Sequence, residues 1–410
     1  MTEFLTLTPP DEALNQILSH FDAHPEPETM SVERALGRIT VSPVLAPHPL
    51  PEFRRSTVDG YAVRAADTYG ASASLPAYLN LAGEIHMGKS ADLTLGPAEC
   101  VLIHTGGMLP EGADAVVMVE HTQQSRPGEV EILRAVAVDE NVIEIGEDVR
   151  EGEMIIPAGQ RIRAAEIGGM MALGIMQVDV ARKPRVGIIS SGDEVVSPAQ
   201  RPAPGQVRDI NSFTLGAVVE RVGGIPIHYG IIADDRAALE EAARRAHAEC
   251  DLVIITAGSS VSARDMTAAV VDTLGEPGVL VHGINIRPGK PTILGVCNDK
   301  PVIGLPGNPV SALVNVEVFI APVLRKLLGE RETRPQATAQ AKLLVNLASE
   351  SGREEWVPVR LLPGESGWEA DPVFGKSNLI FTLVRADGMV RVIPDATGLM
   401  AGEMVEVRLF

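Results

Sequence analysis

Between residues 185 and 328, short apolar runs alternate with stretches of helical periodicity. This alternation limits what the chain can fold into more than any other feature. The runs fall at 185–190, 226–232, 252–256, 279–284 and 301–304, and the helical stretches at 212–221, 236–249, 266–274 and 311–328. A strand that is apolar throughout is buried on both faces, so the pattern predicts a parallel sheet with helices on both sides. In such sheets ligands bind beyond the carboxyl ends of the strands. The polar clusters fall at those ends: Ser190 to Glu194, Asp234-Asp235, and Gly258 to Asp265.

The densest stretch is 251–291. An apolar strand runs into a turn containing Gly258, Ser259 and Ser260, whose backbone amides can face an anion. Arg264-Asp265 follows, and Arg287-Pro288-Gly289-Lys290-Pro291 adds two cations on a stiff loop. The chain carries 54 acids against 35 bases, a formal charge of −19. That balance excludes non-specific nucleic-acid or anionic-membrane binding, which needs a positive field. An anionic small ligand needs local cations here, which makes Arg287 and Lys290 informative: a planar fork and a point charge, each suited to oxyanions. Four acids stand in loop contexts, Asp59, Glu194, Asp234 and Asp265. Such carboxylates hold Mg²⁺, which keeps several waters and bridges to ligand phosphates. Acids in such places serve equally as helix caps: Asp235, next to Asp234, before Arg236, and Asp265 before a helix starting at Met266.

Elsewhere, apolar residues at 13, 14, 17, 18 and 21 mark an N-terminal helix, and Pro43, Pro47, Pro49 and Pro51 hold the next segment extended. Short β-type runs fill the region up to about residue 145, with a turn at Asp59-Gly60. Thr105-Gly106-Gly107 either exposes amides to a ligand or serves a hairpin. Helical spacing returns at 164–173, grouped here with the N-terminal helix. After a charged linker, residues 339–410 alternate as short strands of a barrel or sandwich, and Gly375-Lys376-Ser377-Asn378 reads as an anion-binding turn or a hairpin tip. Cys100, Cys250 and Cys297 have no metal-ligand spacing and suit a reduced, cytoplasmic setting. The start lacks the basic end of a signal peptide, and the apolar tract 164–180 is too polar to span a bilayer. Neither a Walker A loop, a dinucleotide fingerprint, a zinc motif nor a nucleophile elbow is present.

With these motifs in order, the chain resembles the molybdopterin molybdenumtransferase family, which includes the E domain of gephyrin. The resemblance rests on Ser56-Thr57-Val58-Asp59-Gly60-Tyr61-Ala62, Thr105-Gly106 with Pro110-Glu111-Gly112-Ala113-Asp114, and Gly146-Glu147-Asp148. It continues through Ser191-Gly192-Asp193-Glu194, Asp209-Ile210-Asn211, Asp265-Met266-Thr267, Pro288-Gly289-Lys290-Pro291 and Gly304-Leu305-Pro306-Gly307-Asn308-Pro309. It implies a multidomain α+β protein: a helical and extended framework (1–55 with 147–180), an inserted β domain (56–146), an α/β molybdopterin-binding domain (181–329) and a C-terminal β-barrel domain (336–410). It implies a homodimer that inserts molybdate into adenylylated molybdopterin with Mg²⁺ and release of AMP. The alternative is a related pterin-binding paralogue that inserts tungstate or acts as a scaffold. The resemblance places catalytic roles on Asp59, Glu194, Asp234, Asp265 and Lys290. Substrate binding falls to Thr105, Gly258, Ser259, Ser260, Arg287, Pro291 and Ser377, and Mg²⁺ to Glu194, Asp234 and Asp265. The sequence departs from the family pattern at Arg287 (lysine in the family), across Thr256 to Ser262, and at Pro358, where the family has an arginine. Arg360, on the same strand face as Pro358, is the expected substitute.

Overall fold

The expected alternation is present. The computed structural model describes residues 7–258, 261–331 and 337–410, with the backbone alone over 261–264. In the α/β region the elements are β1 (Arg185–Ser191), α1 (Asn211–Val222), β2 (Ile225–Ile232), α2 (Arg236–Glu249), β3 (Leu252–Ala257), α3 (Val261–Asp272), β4 (Pro277–His282), β5 (Ile293–Cys297), β6 (Lys300–Pro306) and α4 (Pro309–Asn315). They form one sheet in the order β2-β1-β3-β6-β5-β4. The first four strands are parallel, and β5 runs antiparallel between β6 and β4. β5 was not anticipated: no helix precedes it, so the alternation leaves no slot for it. It pairs with β6 through a tight turn in which Asn298 and Asp299 both take positive φ, 49° and 65°, the backbone twist that suits an antiparallel hairpin.

Alternate residues of the strands point to opposite faces. Ile188, Ile254 and Ile303 pack with Leu215, Val219 and Phe319 on one side. Ile189, Ile255 and Val302 pack with Leu239, Ala243, Ala246 and Val270 on the other. Both faces are therefore covered.

By packing, the chain falls into two units: Pro43–Pro157 with Ala164–Met176, and Met1–Ser42, Ala158–Arg163 and Gln177–Phe410. The N-terminal helix Pro10–Ser19 buries Ala13 and Ile17 in the first α/β core, joined by Phe21 just beyond it. The helix Ala164–Ala172 belongs to the other unit. The two helices grouped together on sequence thus lie in different units. Periodicity tells which face of a helix is buried, not what covers it.

In the larger unit the C-terminal strands Thr338–Leu343, Glu354–Gly364, Gly367–Pro372, Gly388–Val392 and Met404–Leu409 close on themselves as a five-stranded barrel. Val359, Ala370, Val390 and Val407 fill it. The short strand Ile286–Arg287, which follows β4, joins the barrel parallel to Glu354 and Glu355. Glu354 is 2% exposed, and its charge is met by Trp356 Nε1 at 2.7 Å and Arg391 Nη2 at 2.6 Å.

The other unit holds a six-stranded sheet in the order Ala115–Met118, Gly60–Val63, Glu99–Ile103, Ala77–Ile85, Glu129–Ile132, Thr122–Arg126. Gly60 is required there: a Cβ would stand 2.0 Å from the Val117 carbonyl oxygen. Among the described residues no helix is long and apolar enough to cross a membrane. The three cysteines are free and buried, and burial pushes the Cys100 thiol up to about 12.

Candidate active site

Two cavities adjoin in the larger unit. The first, about 360 Å³, opens at the carboxyl ends of β1 and β3 and is lined by Ser190, Ser191, Glu194, Asp209, Asn211, Thr256 and Gly258, with Gly307, Asn308 and Asn378 at its border. Its floor is a closed polar network. The buried Asp209 carboxylate accepts from Ser190 Oγ (3.0 Å), Ser212 Oγ (2.6 Å) and Ser212 N (3.1 Å). One atom stands outside it. Asn211 donates Nδ2 to the Gly307 carbonyl at 2.9 Å, yet its Oδ1 is buried without a partner among the described residues. A buried acceptor left unpaired costs roughly 1–3 kcal/mol, so this carbonyl is suited to a ligand donor. Asn211 entered the sequence reading only as a family anchor. Nothing in the sequence marks which of its two side-chain atoms is left over.

Acids gather at the same strand ends. Asp234 follows β2 and accepts from Ser191 Oγ at 3.0 Å, while its backbone N donates to Asp193 Oδ1 at 3.1 Å. The Glu194 carboxylate folds back over Gly192. Asp235 caps α2, accepting from Ala238 N at 2.8 Å. Asp265 is different: α3 begins at Val261, so Asp265 sits within the helix rather than capping it, is exposed, and lines neither cavity. The capping alternative is corrected accordingly. Ser259 and Ser260 lie outside the described residues.

The second cavity is a cleft of about 800 Å³ between the α/β part and the barrel, and it shares Asn308 and Asn378 with the first. Arg287, Lys290 and Pro291 line it from one side and Pro358, Lys376 and Ser377 from the other. Lys290 is exposed, and its ammonium has no partner among the described residues, although its backbone carbonyl accepts from Ile284 N at 2.9 Å. Arg287 Nε lies 3.4 Å from Glu355 Oε1, and the Glu355 carboxylate also accepts from Ser349 Oγ at 2.8 Å. The Gly375–Asn378 turn is tied down by Val310 N donating to the Ser377 carbonyl at 3.0 Å. Gly289 lets the cation loop approach α4: a Cβ there would meet Asn315 Nδ2 at 1.8 Å.

Arg360 does not replace the arginine missing at Pro358. It sits opposite Asp371 in the barrel and pairs with that carboxylate at 2.9 Å, and it lines neither cavity. The third cleft cation is Lys376 instead, which the sequence signalled only through its Gly-Lys-Ser turn.

Asp59 and Thr105 belong to the other unit and meet each other there. Asp59 Oδ1 accepts from Thr105 N at 2.8 Å and from Thr105 Oγ1 at 3.2 Å. The backbone bond foremost holds the Asp59 carboxyl below its ordinary value. Thr105-Gly106-Gly107 is a structural turn as well, with Gly106 N on the Ser56 carbonyl (2.8 Å) and Ser56 N on that of Gly107 (3.0 Å).

Among the described residues no three His, Cys, Asp or Glu side chains converge as a ready metal site. The donors at the strand ends are oxygens only, which suits a hard cation that takes one or two carboxylates and completes its shell with water and phosphate.

A buried unpaired acceptor beside a cation-lined cleft, at the ends of parallel strands, defines an α/β protein built to hold a polar, anionic ligand. Family models agree over nearly the whole chain. The MoeA N-terminal region (domains I and II) matches residues 8–174, a probable molybdopterin binding domain residues 187–326, and the MoeA C-terminal region (domain IV) residues 340–410. A putative molybdopterin biosynthesis protein of Methanocaldococcus jannaschii is 35% identical over 403 residues, 96% of this chain and 95% of that protein. The molybdopterin molybdenumtransferase of Bacillus subtilis is 32% identical over 414 residues, 100% of this chain and 95% of its own. A crystal structure of the molybdopterin biosynthesis MoeA protein from Pyrococcus horikoshii superposes with TM-score 0.87 at 30% identity, covering 99% and 100% of the two chains. The chain belongs to the molybdopterin molybdenumtransferase family, the transferases of molybdenum cofactor biosynthesis.

Proposed function

We propose that the chain inserts molybdate into adenylylated molybdopterin in a Mg²⁺-dependent step that releases AMP. The observation that carries this reading is the pairing of the unpaired Asn211 carbonyl with an adjoining cationic cleft. A pterin has ring N–H and amino donors for such an acceptor, and molybdate is an oxyanion that needs cations. Lys290 and Arg287 bind the molybdate oxygens, with Ser377 as a further donor and Pro291 shaping the wall. Gly258 at the border of the first cavity, with Ser259 and Ser260 next in sequence, is assigned to the pterin phosphate. Glu194 and Asp234 would hold Mg²⁺, which when bound would neutralise charge developing on the phosphoanhydride; Asp265, expected as a third ligand, lines neither cavity. The same acids orient the attacking water. In a homodimer, the partner subunit's Asp59 and the partner subunit's Thr105 complete the site. We divide the chain functionally as framework (1–55, 147–180), inserted β domain (56–146), pterin-binding domain (181–329) and barrel (336–410). Buried, reduced cysteines fit a cytoplasmic setting.

The test is incubation with adenylylated molybdopterin, molybdate and Mg²⁺, following AMP by chromatography, with EDTA and with tungstate in parallel. AMP release that needs Mg²⁺ and molybdate is expected. Ligand that stays bound with no AMP above the protein-free control would leave a binding or scaffold protein. Release with tungstate alone would change the metal. Sedimentation of the intact chain reads the dimer directly.

A further inference from the structure

The register of the six-stranded sheet brings together four titratable groups that the reading above does not use as a set. Gly60 pairs with Ile103 in the antiparallel ladder, so Asp59 and His104 stand side by side just past it. Ile85 pairs with Ile103 in the parallel ladder, which sets His86 and Glu84 on the other flank of His104. The side chains follow the ladders. His104 Nε2 lies 3.0 Å from Glu84 Oε1, His104 Nδ1 lies 3.8 Å from Asp59 Oδ1, and His86 Nδ1 lies 3.3 Å from Glu84 Oε1. One imidazole thus stands between two carboxylates, one ring nitrogen toward each.

We propose that His104, held by Glu84, is a positioning residue whose charge governs how freely the Asp59 carboxylate can reach another donor. It rests on the reading in which Asp59 takes part in the reaction. The geometry makes the two protonation states unlike each other. Neutral His104 donates Nε2–H to Glu84 and turns the Nδ1 lone pair toward Asp59, which disfavours close approach and leaves Asp59 free to accept from elsewhere. Protonated His104 donates from both nitrogens, draws Asp59 toward itself and weakens it as an acceptor. Thr105 already occupies Asp59 Oδ1 with two donors, so His104 acts on the oxygen that is already held. Glu84 is the anchor, its carboxyl held below its ordinary value foremost by the bond from His104. The groups facing His104 are Asp59 from the loop before Gly60–Val63 and Glu84 from the strand Ala77–Ile85. His86, on the far side of Glu84, competes with His104 for that carboxylate.

The direct test is a pH titration of the Asp59 carboxyl by carboxyl-detected NMR in the full chain, in the wild type and in His104→Gln. The Asp59 midpoint is expected to rise in His104→Gln, which removes the imidazolium beside it, and to stay below the unfolded value because the Thr105 bonds remain. An unchanged midpoint would overturn the coupling, whatever the protein's activity proves to be. The second arm is the pH profile of turnover in His104→Gln, a neutral isostere, with melting temperature as a folding control. The wild type is expected to lose rate on the acid side through an ionisation that His104→Gln lacks. Superimposable profiles would remove the role even if the NMR coupling held.

Discussion

Arg287 and Glu355 are joined twice: their backbones pair in a parallel bridge, and their side chains meet at 3.4 Å. One of the three cleft cations is therefore held by the one carboxylate that lines the cleft among the described residues. Removing that carboxylate takes a negative charge from the surface proposed to bind anions. Glu355→Gln is expected to tighten binding of simple oxyanions about threefold, a small effect because the pair is half exposed. Calorimetric titration with molybdate and with sulfate reads it, and weaker binding of both would contradict the assignment.

Lys290 has the opposite situation. It is exposed and unpaired among the described residues, so Lys290→Ala is expected to leave stability within about 0.5 kcal/mol of the wild type. Oxyanion affinity is expected to fall about tenfold with the loss of a charge-assisted contact. A variant that binds and turns over normally would refute the cleft as the anion site.

The Asp59 carboxyl is held below its ordinary value, chiefly because Thr105 N donates to it. A depressed carboxyl adds stability above its unfolded value, and that stability is lost as pH falls through the folded value. The window lies below about pH 4. Thr105→Val keeps the backbone donor and removes only the hydroxyl, so the Asp59 midpoint is expected to rise and still stay under the unfolded one. Carboxyl-detected NMR titration measures it. A midpoint at or above the unfolded value would mean that the backbone bond is not the main cause.

Gly60→Ala forces a Cβ to within 2.0 Å of the Val117 carbonyl oxygen on the neighbouring strand. No rotamer relieves that clash, and a loss of about 3 kcal/mol or more is expected. Urea unfolding of the variant should show the Pro43–Pro157 unit lost first. A wild-type curve would be incompatible with the Gly60–Val117 approach.

Glu354 is buried between Trp356 and Arg391. Glu354→Ala strands the indole N–H and is expected to cost on the order of 2 kcal/mol, less than a fully buried pair because Arg391 is partly exposed. A shifted urea midpoint with an unchanged slope would confirm a loss confined to the folded state.

The apolar strands β1, β3 and β6 could be read from sequence because burial on both faces leaves no polar position to confuse the period. The Arg287–Lys290 loop stood out because positive charge is scarce in so acidic a chain. What escaped depends on pairings between distant segments. Arg360 has the right strand phase to face the cleft, but only register shows that Asp371 claims it. Asn211 is one asparagine among several until the Gly307 carbonyl takes its amide and leaves its oxygen alone. Ile286–Arg287 reads as loop, since two residues carry no period, yet it completes a neighbour's sheet.

That borrowed strand makes the barrel and the cation loop mechanically one part. The loop is fastened to Glu354 and Glu355 at its start, and the barrel's own turn is fastened to Val310 on the far wall. Rotating the barrel against the sheet either breaks both fastenings or carries Arg287 along. The position of Arg287 in the cleft is thus geared to the seating of a whole domain.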